Sequence, residues 1–335
     1  MSASVSAKQP PVIAVDAMGG DNAPTAVVAG AILAHRDGLG KIVLVGDRRR
    51  LEPLLRGEPG VEIVHSDGAV PMDAAASQAV RKSQGTSLGD AVDLVRDGRA
   101  AAVVSAGNSG AFLAIALIRL RTIPGVARPA IGAVLPGREG PVVLCDAGAN
   151  VDCKPEWLMQ FGVMGSAYAR AALDIAEPRV GLISVGEEPT KGNAQVLEAA
   201  PLLQAAPVRF VGNVEGKDIL LNHVDVVVAD GFVGNVILKT LEGSGMYIRD
   251  VLRESFESGS VFGKLGGLLS RGVFTTMRAR VDYANYGGAP LLGVRGNCVV
   301  AHGRSDATAM RNAIRQAAAV AGADLVGSIE AAFEG

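Results

Sequence analysis

Short runs of β-branched and aliphatic residues recur along this chain, and glycine, aspartate or asparagine residues follow them. Ala-rich amphipathic stretches separate one run from the next. This alternation is typical of βα units around a mostly parallel sheet, and it constrains the fold more than any other feature. The predicted strands cover residues 12–15, 42–45, 61–64, 102–104, 131–135, 142–144, 180–183, 208–211, 225–228 and 298–300.

Helices are predicted in the stretches between these strands. They cover residues 23–35, 74–81, 88–96, 110–121, 155–173, 194–203, 236–256 and 305–320. The pattern predicts an α/β/α sandwich. Because the chain has no internal repeat and no Pro/Ser-rich linker, we expect residues 1–335 to form a single compact α/β unit, with two lobes that share strands as the alternative.

Composition and charge exclude several classes of protein. Hydrophobic residues make up 49% and charged residues 20%, which is too apolar for a disordered chain. Aromatic residues are only 4% against 43 glycines, a balance that favours α/β units with tight turns over a β-sandwich. The net charge of −2 provides no basic field for nucleic acid, so nucleic acid is not expected as a partner.

The cysteines and the apolar stretches bear on the compartment. Cys145, Cys153 and Cys298 form an odd set without a C-x-x-C motif, which favours a reducing compartment and disfavours a zinc site. The first ten residues lack an apolar signal core, and the longest apolar stretch, 112–118, is far shorter than the ~18–20 residues of a membrane span. We therefore expect a cytoplasmic protein.

One segment, residues 236–280, breaks the βα rhythm and predicts a helical hairpin. Its part from Lys264 to Arg280 has four basic and no acidic residues among apolar ones such as Leu268, Leu269 and Phe274. An apolar strip edged with cations suits an anionic membrane surface or an acidic carrier protein. A dimer interface explains the same pattern, and both interpretations stay open.

Small and polar residues follow six of the predicted strands. In open α/β sheets ligands bind at the carboxyl ends of the strands, where helix N-termini offer free N–H groups. Each loop alone is ordinary turn and cap composition. Together they predict an anion-binding edge formed by the loops 16–24, 105–110, 145–155, 184–193, 229–235 and 301–306.

The established phosphate and zinc motifs are absent from the sequence: it has no G-x-G-x-x-G, no G-x-x-x-x-G-K-[ST] and no H-E-x-x-H. The absence of these motifs disfavours a dinucleotide-binding protein, a P-loop nucleotide-binding protein and a zinc protease. A small anion remains, such as orthophosphate or a phosphate-bearing substrate, held by backbone N–H groups and by the cations Lys154, Lys191 and Arg304.

Two alternatives compete with this interpretation. The sequence around Ser109 approximates the G-x-S-x-G nucleophile elbow, and Ser109, Asp230 and His302 follow one another in the α/β-hydrolase order. However, Ala111 replaces the final glycine, and a serine at the start of a helix is more often a cap or an anion ligand. Asp16, Asp146 and Asp230 offer carboxylates to a divalent cation, although turn hydrogen bonding explains them as well.

The loops taken together resemble a known family. The motifs are Ile13-Ala-Val-Asp-Ala-Met-Gly-Gly-Asp-Asn-Ala-Pro24, Ser105-Ala-Gly-Asn-Ser-Gly-Ala111, Asp146-Ala-Gly-Ala-Asn-Val-Asp-Cys-Lys-Pro155, Gly186-Glu-Glu-Pro-Thr-Lys-Gly-Asn193, Asp230-Gly-Phe-Val-Gly-Asn235, Tyr286-Gly-Gly-Ala-Pro-Leu-Leu-Gly293 and Ala301-His-Gly-Arg-Ser-Asp-Ala307. They look like those of the bacterial acyl-carrier-protein:phosphate acyltransferases of phospholipid synthesis. The resemblance implies a fold like that of isocitrate and isopropylmalate dehydrogenases and of phosphotransacetylase. It also implies a homodimer that transfers a fatty acyl group from acyl carrier protein to inorganic phosphate.

Under this resemblance the phosphate dianion attacks the thioester directly, without a covalent acyl-enzyme, a cofactor or a metal. Lys191 and Asn235 are assigned as catalytic residues that hold the phosphate charge or the developing oxyanion. The supporting substrate-binding residues are Asp16, Gly19, Gly20, Asn108, Ser109, Asp146, Asn150, Lys154, His302 and Arg304. The chain departs from the family pattern at Ser109, where threonine is more common, and in the loop 82–88, where a more basic stretch is expected.

Three other functions remain open at this stage. A phosphotransacetylase that uses acyl-CoA shares the fold and the chemistry, a serine hydrolase uses Ser109, and a non-catalytic scaffold binds only the acyl carrier or the membrane. The acyl phosphate product is chemically labile and hydrophobic. We therefore expect peripheral association with the inner face of the membrane and release beside a downstream membrane acyltransferase.

Overall fold

The structure, a computed structural model, describes residues 10–257, 272 and 287–334. The chain divides into two units, Met1–Pro129 with Gly287–Glu334, and Ala130–Tyr286. Each unit contains strands and helices of its own. The expectation of a single unit over residues 1–335 stays a prediction.

The first unit contains six described strands in the order β3-β2-β1-β4-β11-β10. All of its neighbouring strands are parallel except β10 and β11. The strands are β1 (Val12–Asp16), β2 (Lys41–Gly46), β3 (Val61–His65), β4 (Ala102–Ser105), β10 (Ala289–Leu292) and β11 (Asn297–Val300). The helices are α1 (Thr25–Arg36), α2 (Arg48–Leu55), α3 (Ala76–Arg81), α4 (Ser87–Arg96), α5 (Ser109–Leu120), α10 (Ala307–Gly322) and α11 (Leu325–Glu334).

Aliphatic strands and Ala-rich helices form the core of this unit. Ile13 on β1, Leu44 on β2 and Phe112 on α5 are fully buried, and each contributes about 1.5–3 kcal/mol by leaving water. Helices α1 and α10 pack closely because Gly30 lacks a side chain: a Cβ there would lie 2.5 Å from the Cβ of Met310. The small residues of the sequence therefore allow the helices to lie close together.

The second unit contains five described strands in the order β5-β6-β9-β7-β8. Strands β5 and β6 are antiparallel, and the other neighbours are parallel. The strands are β5 (Ala130–Pro136), β6 (Pro141–Cys145), β7 (Arg179–Ile183), β8 (Arg209–Val214) and β9 (Val226–Val228). The helices are α6 (Pro155–Leu173), α7 (Ala194–Ala205), α8 (Gly216–Leu220) and α9 (Gly231–Glu257).

Helix α6 covers the centre of the second sheet. Pro155 occupies its first turn, where no amide hydrogen is needed, and Tyr168 and Phe161 are fully buried. Gly165 lets the helix approach β9, because a Cβ there would lie 2.7 Å from Val226 Cγ1. This packing brings the N-terminus of α6 to the end of the sheet where β6, β7 and β9 finish.

The mostly parallel α/β fold is confirmed, and all ten predicted strands are present with shifted ends. Strand β10 was missed because it is short and contains Pro290, which argues against a strand within a sheet. Helix α2 was missed because Pro53 interrupts a highly charged sequence. The short helix α8 and the C-terminal helix α11 were also missed.

The predicted hairpin at 236–280 lies only partly within the described residues. Its first part is helical, but the helix α9 begins at Gly231, five residues earlier than predicted, because the Asp230 carboxylate accepts a hydrogen bond from the amide of Val233 (2.9 Å). Apart from residue 272, positions 258–280 lie outside the described residues. Among the helices that the structure describes, none combines the length and the apolar character needed to cross a membrane.

Candidate active site

In the first unit, a buried carboxylate lies where β1 ends. Asp16 is 2% exposed, and one of its oxygens accepts a hydrogen bond from the Ser105 hydroxyl at the end of β4 (2.7 Å). Burial raises the pKa of the Asp16 carboxyl, while hydrogen bonds from Ser105 and from the Met18 amide oppose this shift. Asp16 therefore joins two strand ends, and the predicted contact of its carboxylate with substrate stays a prediction.

The loops that follow β1, β4 and β11 approach one another through glycines. A Cβ on Gly19 would overlap the Asp16 carboxylate, and Gly20 has a φ of +108° with the Gly303 carbonyl nearby. The amide of Asp21 donates to that carbonyl (2.8 Å). Gly19 and Gly20 therefore allow three loops to meet at one edge of this sheet.

Helix α5 begins beside these loops, and two predicted site residues form its start. Asn108 is the N-cap: its side-chain oxygen accepts from the Ala111 amide (2.9 Å), and its NH2 group donates to the carbonyls of Met72 (2.7 Å) and Ala74 (3.0 Å). Both the oxygen and the nitrogen of the Asn108 side-chain amide are thus hydrogen-bonded within the protein. Ser109 is exposed on the first turn and makes no side-chain hydrogen bond within the described residues.

The loop after β11 carries His302 and Arg304. The His302 Nδ1 accepts a hydrogen bond from the Arg304 amide (3.3 Å), and the Ser305 hydroxyl donates to the His302 carbonyl (2.6 Å). The Arg304 side chain is exposed. Asp306 then caps α10 by accepting from the Ala309 amide (2.8 Å). The structure therefore places a cation and an imidazole next to the N-terminus of α10.

In the second unit, Asp146 follows β6 and is completely buried. Its oxygens accept hydrogen bonds from the amides of Ile131 (2.9 Å), Gly148 (3.1 Å), Ala149 (3.0 Å) and Asn150 (2.7 Å), and from the Asn150 side chain (2.9 Å). Burial raises the pKa of Asp146, and these hydrogen bonds act to lower it. Asp146 and Asn150 therefore hold the shape of the loop 146–150.

Helix α9 begins against this loop. The amide of Gly231 donates to the Asn150 carbonyl (2.6 Å), and a Cβ on Gly234 would overlap the Asp146 carbonyl oxygen. The next residue, Asn235, is exposed, and its side chain lies about 3.6 Å from the position of a Cβ on Gly148. The two glycines thus bring Asn235 beside the loop after β6.

Lys191 lies in the loop between β7 and α7, and the loop is anchored from β8. The Asn213 side chain donates to the carbonyls of Glu188 (3.0 Å) and Lys191 (3.2 Å). Asn193 caps α7 by accepting from the Val196 amide (2.9 Å). The backbone of Lys191 is therefore fixed, whereas its ammonium group is exposed and forms no ion pair within the described residues.

The second unit brings three helix N-termini to one edge of its sheet. Strands β6, β9 and β7 are adjacent and parallel, and α6, α9 and α7 follow them. Lys154 is the exposed residue directly before α6, and Lys191 lies two residues before the cap of α7. Helix N-termini favour anions, and two ammonium groups add to this preference. These features favour an anion at this edge, and the expected phosphate site stays a prediction.

Comparisons with known proteins give the family of this chain. A family model described as "Fatty acid synthesis protein" matches residues 12–327. A phosphate acyltransferase of Acidobacterium capsulatum is 48% identical over 326 residues, which cover 96% of each chain, and that of Syntrophotalea carbinolica is 49% identical over 310 residues, covering 91% of this chain and 89% of the relative. The chain belongs to the phosphate acyltransferase family.

Solved structures of lower identity share the fold. A phosphotransacetylase from Streptococcus pyogenes is 18% identical and aligns with a TM-score of 0.61 over 92% of this chain and 93% of its own. A 4-hydroxythreonine-4-phosphate dehydrogenase from Klebsiella pneumoniae is 14% identical, with a TM-score of 0.56 over 93% and 100%. The expected resemblance to phosphotransacetylase and to a dehydrogenase-type fold is therefore confirmed for the fold. Family membership also confirms an enzyme of the acyltransferase class.

The geometry weakens the serine-hydrolase alternative for this family member. In a catalytic triad the histidine donates from Nδ1 to a carboxylate, but Nδ1 of His302 accepts from the Arg304 amide. The Asp230 carboxylate, which would complete the triad, caps α9. Ser109 itself lies in the first turn of α5, a position where serine is also common as a cap or an anion ligand.

The carboxylates of the three strand-end aspartates all accept hydrogen bonds from the protein. Asp16 accepts from Ser105 at the end of β4, Asp146 accepts from the amides of its own loop, and Asp230 caps a helix. Among residues 10–257, 272 and 287–334, no group of three or more His, Cys, Asp or Glu side chains is arranged to hold a metal ion.

Two supporting residues were not singled out from the sequence. The Ser105 hydroxyl donates to Asp16, and its position at the end of β4 could have indicated this role. Asn213 holds the Lys191 loop from within β8, where the sequence offers no cue, because an asparagine in a strand has no fixed partner.

Proposed function

We propose that the protein transfers a fatty acyl group from acyl carrier protein to inorganic phosphate, and that phosphate attacks the thioester directly to give acyl phosphate. The observation that carries this proposal is the edge of the second sheet, where three helix N-termini meet two exposed lysines. A phosphate dianion held there is already a nucleophile. The enzyme then only has to position it and stabilise the oxyanion.

Lys191 and Asn235 have the exposure that this role requires. The Lys191 ammonium group is an exposed cation on a fixed backbone, and the Asn235 amide group is exposed in an early turn of α9. A positioned donor to a developing oxyanion contributes on the order of 10²–10³ in rate. We assign to Lys191 the binding of the negative charge on the phosphate or the oxyanion. We assign to Asn235 a hydrogen bond donated to the same group.

The thiols support direct attack over a cysteine-linked intermediate. Cys145 and Cys298 are buried, and burial raises the pKa of both thiols; it raises the pKa of Cys153 to about 12. A thiolate is the reactive form, so at neutral pH these cysteines remain protonated.

The decisive experiment mixes the protein with an acyl carrier protein thioester, with and without orthophosphate, and detects acyl phosphate as its hydroxamate. We expect thioester loss and product only when phosphate is present. The same assay with an acyl-CoA donor distinguishes this function from that of a phosphotransacetylase. For the proposed function, we expect a much lower rate with acyl-CoA than with the acyl carrier protein thioester. Phosphate-independent thioester loss would favour a hydrolase, and no thioester loss would favour a scaffold.

A homodimer in the cytoplasm, associated peripherally with the inner face of the membrane beside a downstream membrane acyltransferase, is part of the same proposal. The membrane contact is supported by the exposed apolar surface of α9, where Val236, Tyr247, Ile248 and Val251 are 49%, 71%, 53% and 41% exposed. Replacing Ile248 and Val251 by Glu should abolish sedimentation with anionic vesicles and leave the dimer intact. Loss of the dimer instead would identify this surface as a subunit interface.

A further inference from the structure

The second unit contains a cavity of about 220 Å³ where β7 and β9 end and α6, α7 and α9 pack around them. Its wall is mainly aliphatic. The apolar wall residues are Leu158, Leu182, Ile183, Val185, Val196 and Val233. An apolar cavity of about 150 Å³ is enough to hold a benzene molecule. This larger cavity therefore has room for a short stretch of alkyl chain.

The polar residues of the wall mostly serve the protein itself. Asn193 and Asp230 cap α7 and α9, and the Gln195 side chain donates to the Cys153 carbonyl (2.7 Å). The Ser184 hydroxyl, in contrast, is buried and has no hydrogen-bond partner among the described residues. The wall as described contains the Asp230 carboxylate and no lysine or arginine. The side chains of the wall supply no cation to a phosphate, and its aliphatic part suits a neutral apolar group.

The cavity lies at the edge of the second sheet where the helices begin. Asn193 and Asp230 in its wall cap α7 and α9, and Gly192 in its wall directly follows Lys191. An apolar group bound in the cavity would thus be attached to a reacting group near the Lys191 loop. Of the two substrates of the proposed reaction, inorganic phosphate has no apolar part, and the acyl chain is the longest continuous apolar part of the thioester.

We propose that this cavity binds the part of the acyl chain nearest the thioester, an inference that rests on the proposed function. Each methylene that leaves water for an apolar site is worth about fourfold in binding, so a cavity of this size gives a strong preference for longer acyl chains over acetyl. The cavity thereby provides selectivity for fatty acyl donors, while the reaction itself takes place at the lysine-bearing edge.

The test narrows the cavity from two sides. Val196→Phe fills it from α7 and Val233→Phe fills it from α9, and Leu197→Phe is the matched control, because Leu197 neighbours Val196 but is 43% exposed. The ratio of kcat/KM for a decanoyl donor to that for an acetyl donor is measured on the same carrier protein. We expect this ratio to fall at least tenfold in both filled variants and to stay unchanged in Leu197→Phe. An unchanged ratio in a folded filled variant overturns the inference.

A binding measurement keeps the two proposals separable. The affinity of decanol, a neutral alkyl probe, is measured for the native protein and the three variants by the shift in Tm. Decanol should raise the Tm of the native protein and of Leu197→Phe and have little effect on the filled variants. If the native protein binds decanol in this way but forms no acyl phosphate from any donor, the proposed function fails and the apolar site stands. If the filled variants bind decanol as well as the native protein does, the site is refuted whatever the activity.

Discussion

The contact between α9 and the loop after β6 predicts opposite effects for two glycine substitutions in one helix. Gly234 lies in the first turns of α9, and a Cβ there would overlap the backbone carbonyl oxygen of Asp146. Gly243 lies in the middle of the same helix, and a Cβ there would meet nothing within 4 Å. Both positions are helical, so replacing either glycine by alanine gains the same helix propensity, about 0.5–1 kcal/mol.

The magnitude for Gly234→Ala follows from this overlap. Close contacts between carbon and oxygen in proteins measure about 3.3–3.6 Å, so the helix start and the loop must separate by about 1.5 Å. Overpacking of this kind costs about 1–3 kcal/mol, and the obstacle is backbone, which cannot rotate away. We therefore expect a net loss of stability of about 1–2 kcal/mol for Gly234→Ala and a small gain for Gly243→Ala.

The same displacement should reduce catalysis. Asn235 follows Gly234 directly, and a misplacement of about 1 Å can cost on the order of 10² in rate. Urea unfolding of both variants, together with acyl phosphate formation at a temperature where both are folded, measures the two effects. If Gly234→Ala were as stable and as active as Gly243→Ala, α9 would not start against the loop as described, and the position assigned to Asn235 would be wrong.

Three further predictions concern single side chains. Lys191→Ala should lower kcat at least about 10² with an unchanged Tm, because the ammonium group is exposed; near-native turnover would remove Lys191 from the catalytic residues. Ser109→Ala should keep most phosphate-dependent activity, and a trapped acyl group on Ser109 would contradict direct attack. Burial acts to raise the pKa of Asp225, but Arg179 holds it below its ordinary value. This pair therefore stabilises the fold above the unfolded pKa of about 4, and the stabilisation is lost as the pH falls through the folded value. Asp225→Asn should cost about 1–2 kcal/mol at neutral pH in urea unfolding, and this cost should shrink as the pH falls below the ordinary aspartate pKa of about 4; a difference that is the same at every pH would refute the ion pair.

The sequence was sufficient to predict the alternation of strands and helices, because buried parallel strands are apolar runs and their covering helices are amphipathic. The predicted helix at 155–173 matches α6 residue for residue, since Pro155 marks its start. Strand β10 lacked these signals. Pro290 lies within it, and its pairing with β11 depends on contacts that a local pattern does not encode.

Predicting the role of each strand-end residue was harder than predicting its position. Asn108 is predicted to bind phosphate. In the structure its side chain caps α5 and also donates to two carbonyls more than thirty residues away in the sequence. Asp146 is surrounded by the amides of its own loop. Asparagine and aspartate are favoured in caps and turns for the same reason that they bind ligands, which is a short side chain with oxygen acceptors. Sequence alone cannot separate the two uses.

The hydrogen bonds divide the predicted site residues into two groups with different expected behaviour. Asp16, Asn108 and Asp146 are engaged inside the protein, so substituting them should lower stability and activity together. Lys191 and Asn235 are exposed on backbones that other residues hold, so substituting them should lower activity alone. Plotting the change in activity against the change in Tm for single alanine variants tests this division. If Lys191 and Asn235 variants fell on the same line as the engaged group, their effects would be structural, and the proposed phosphate edge would lose its catalytic residues.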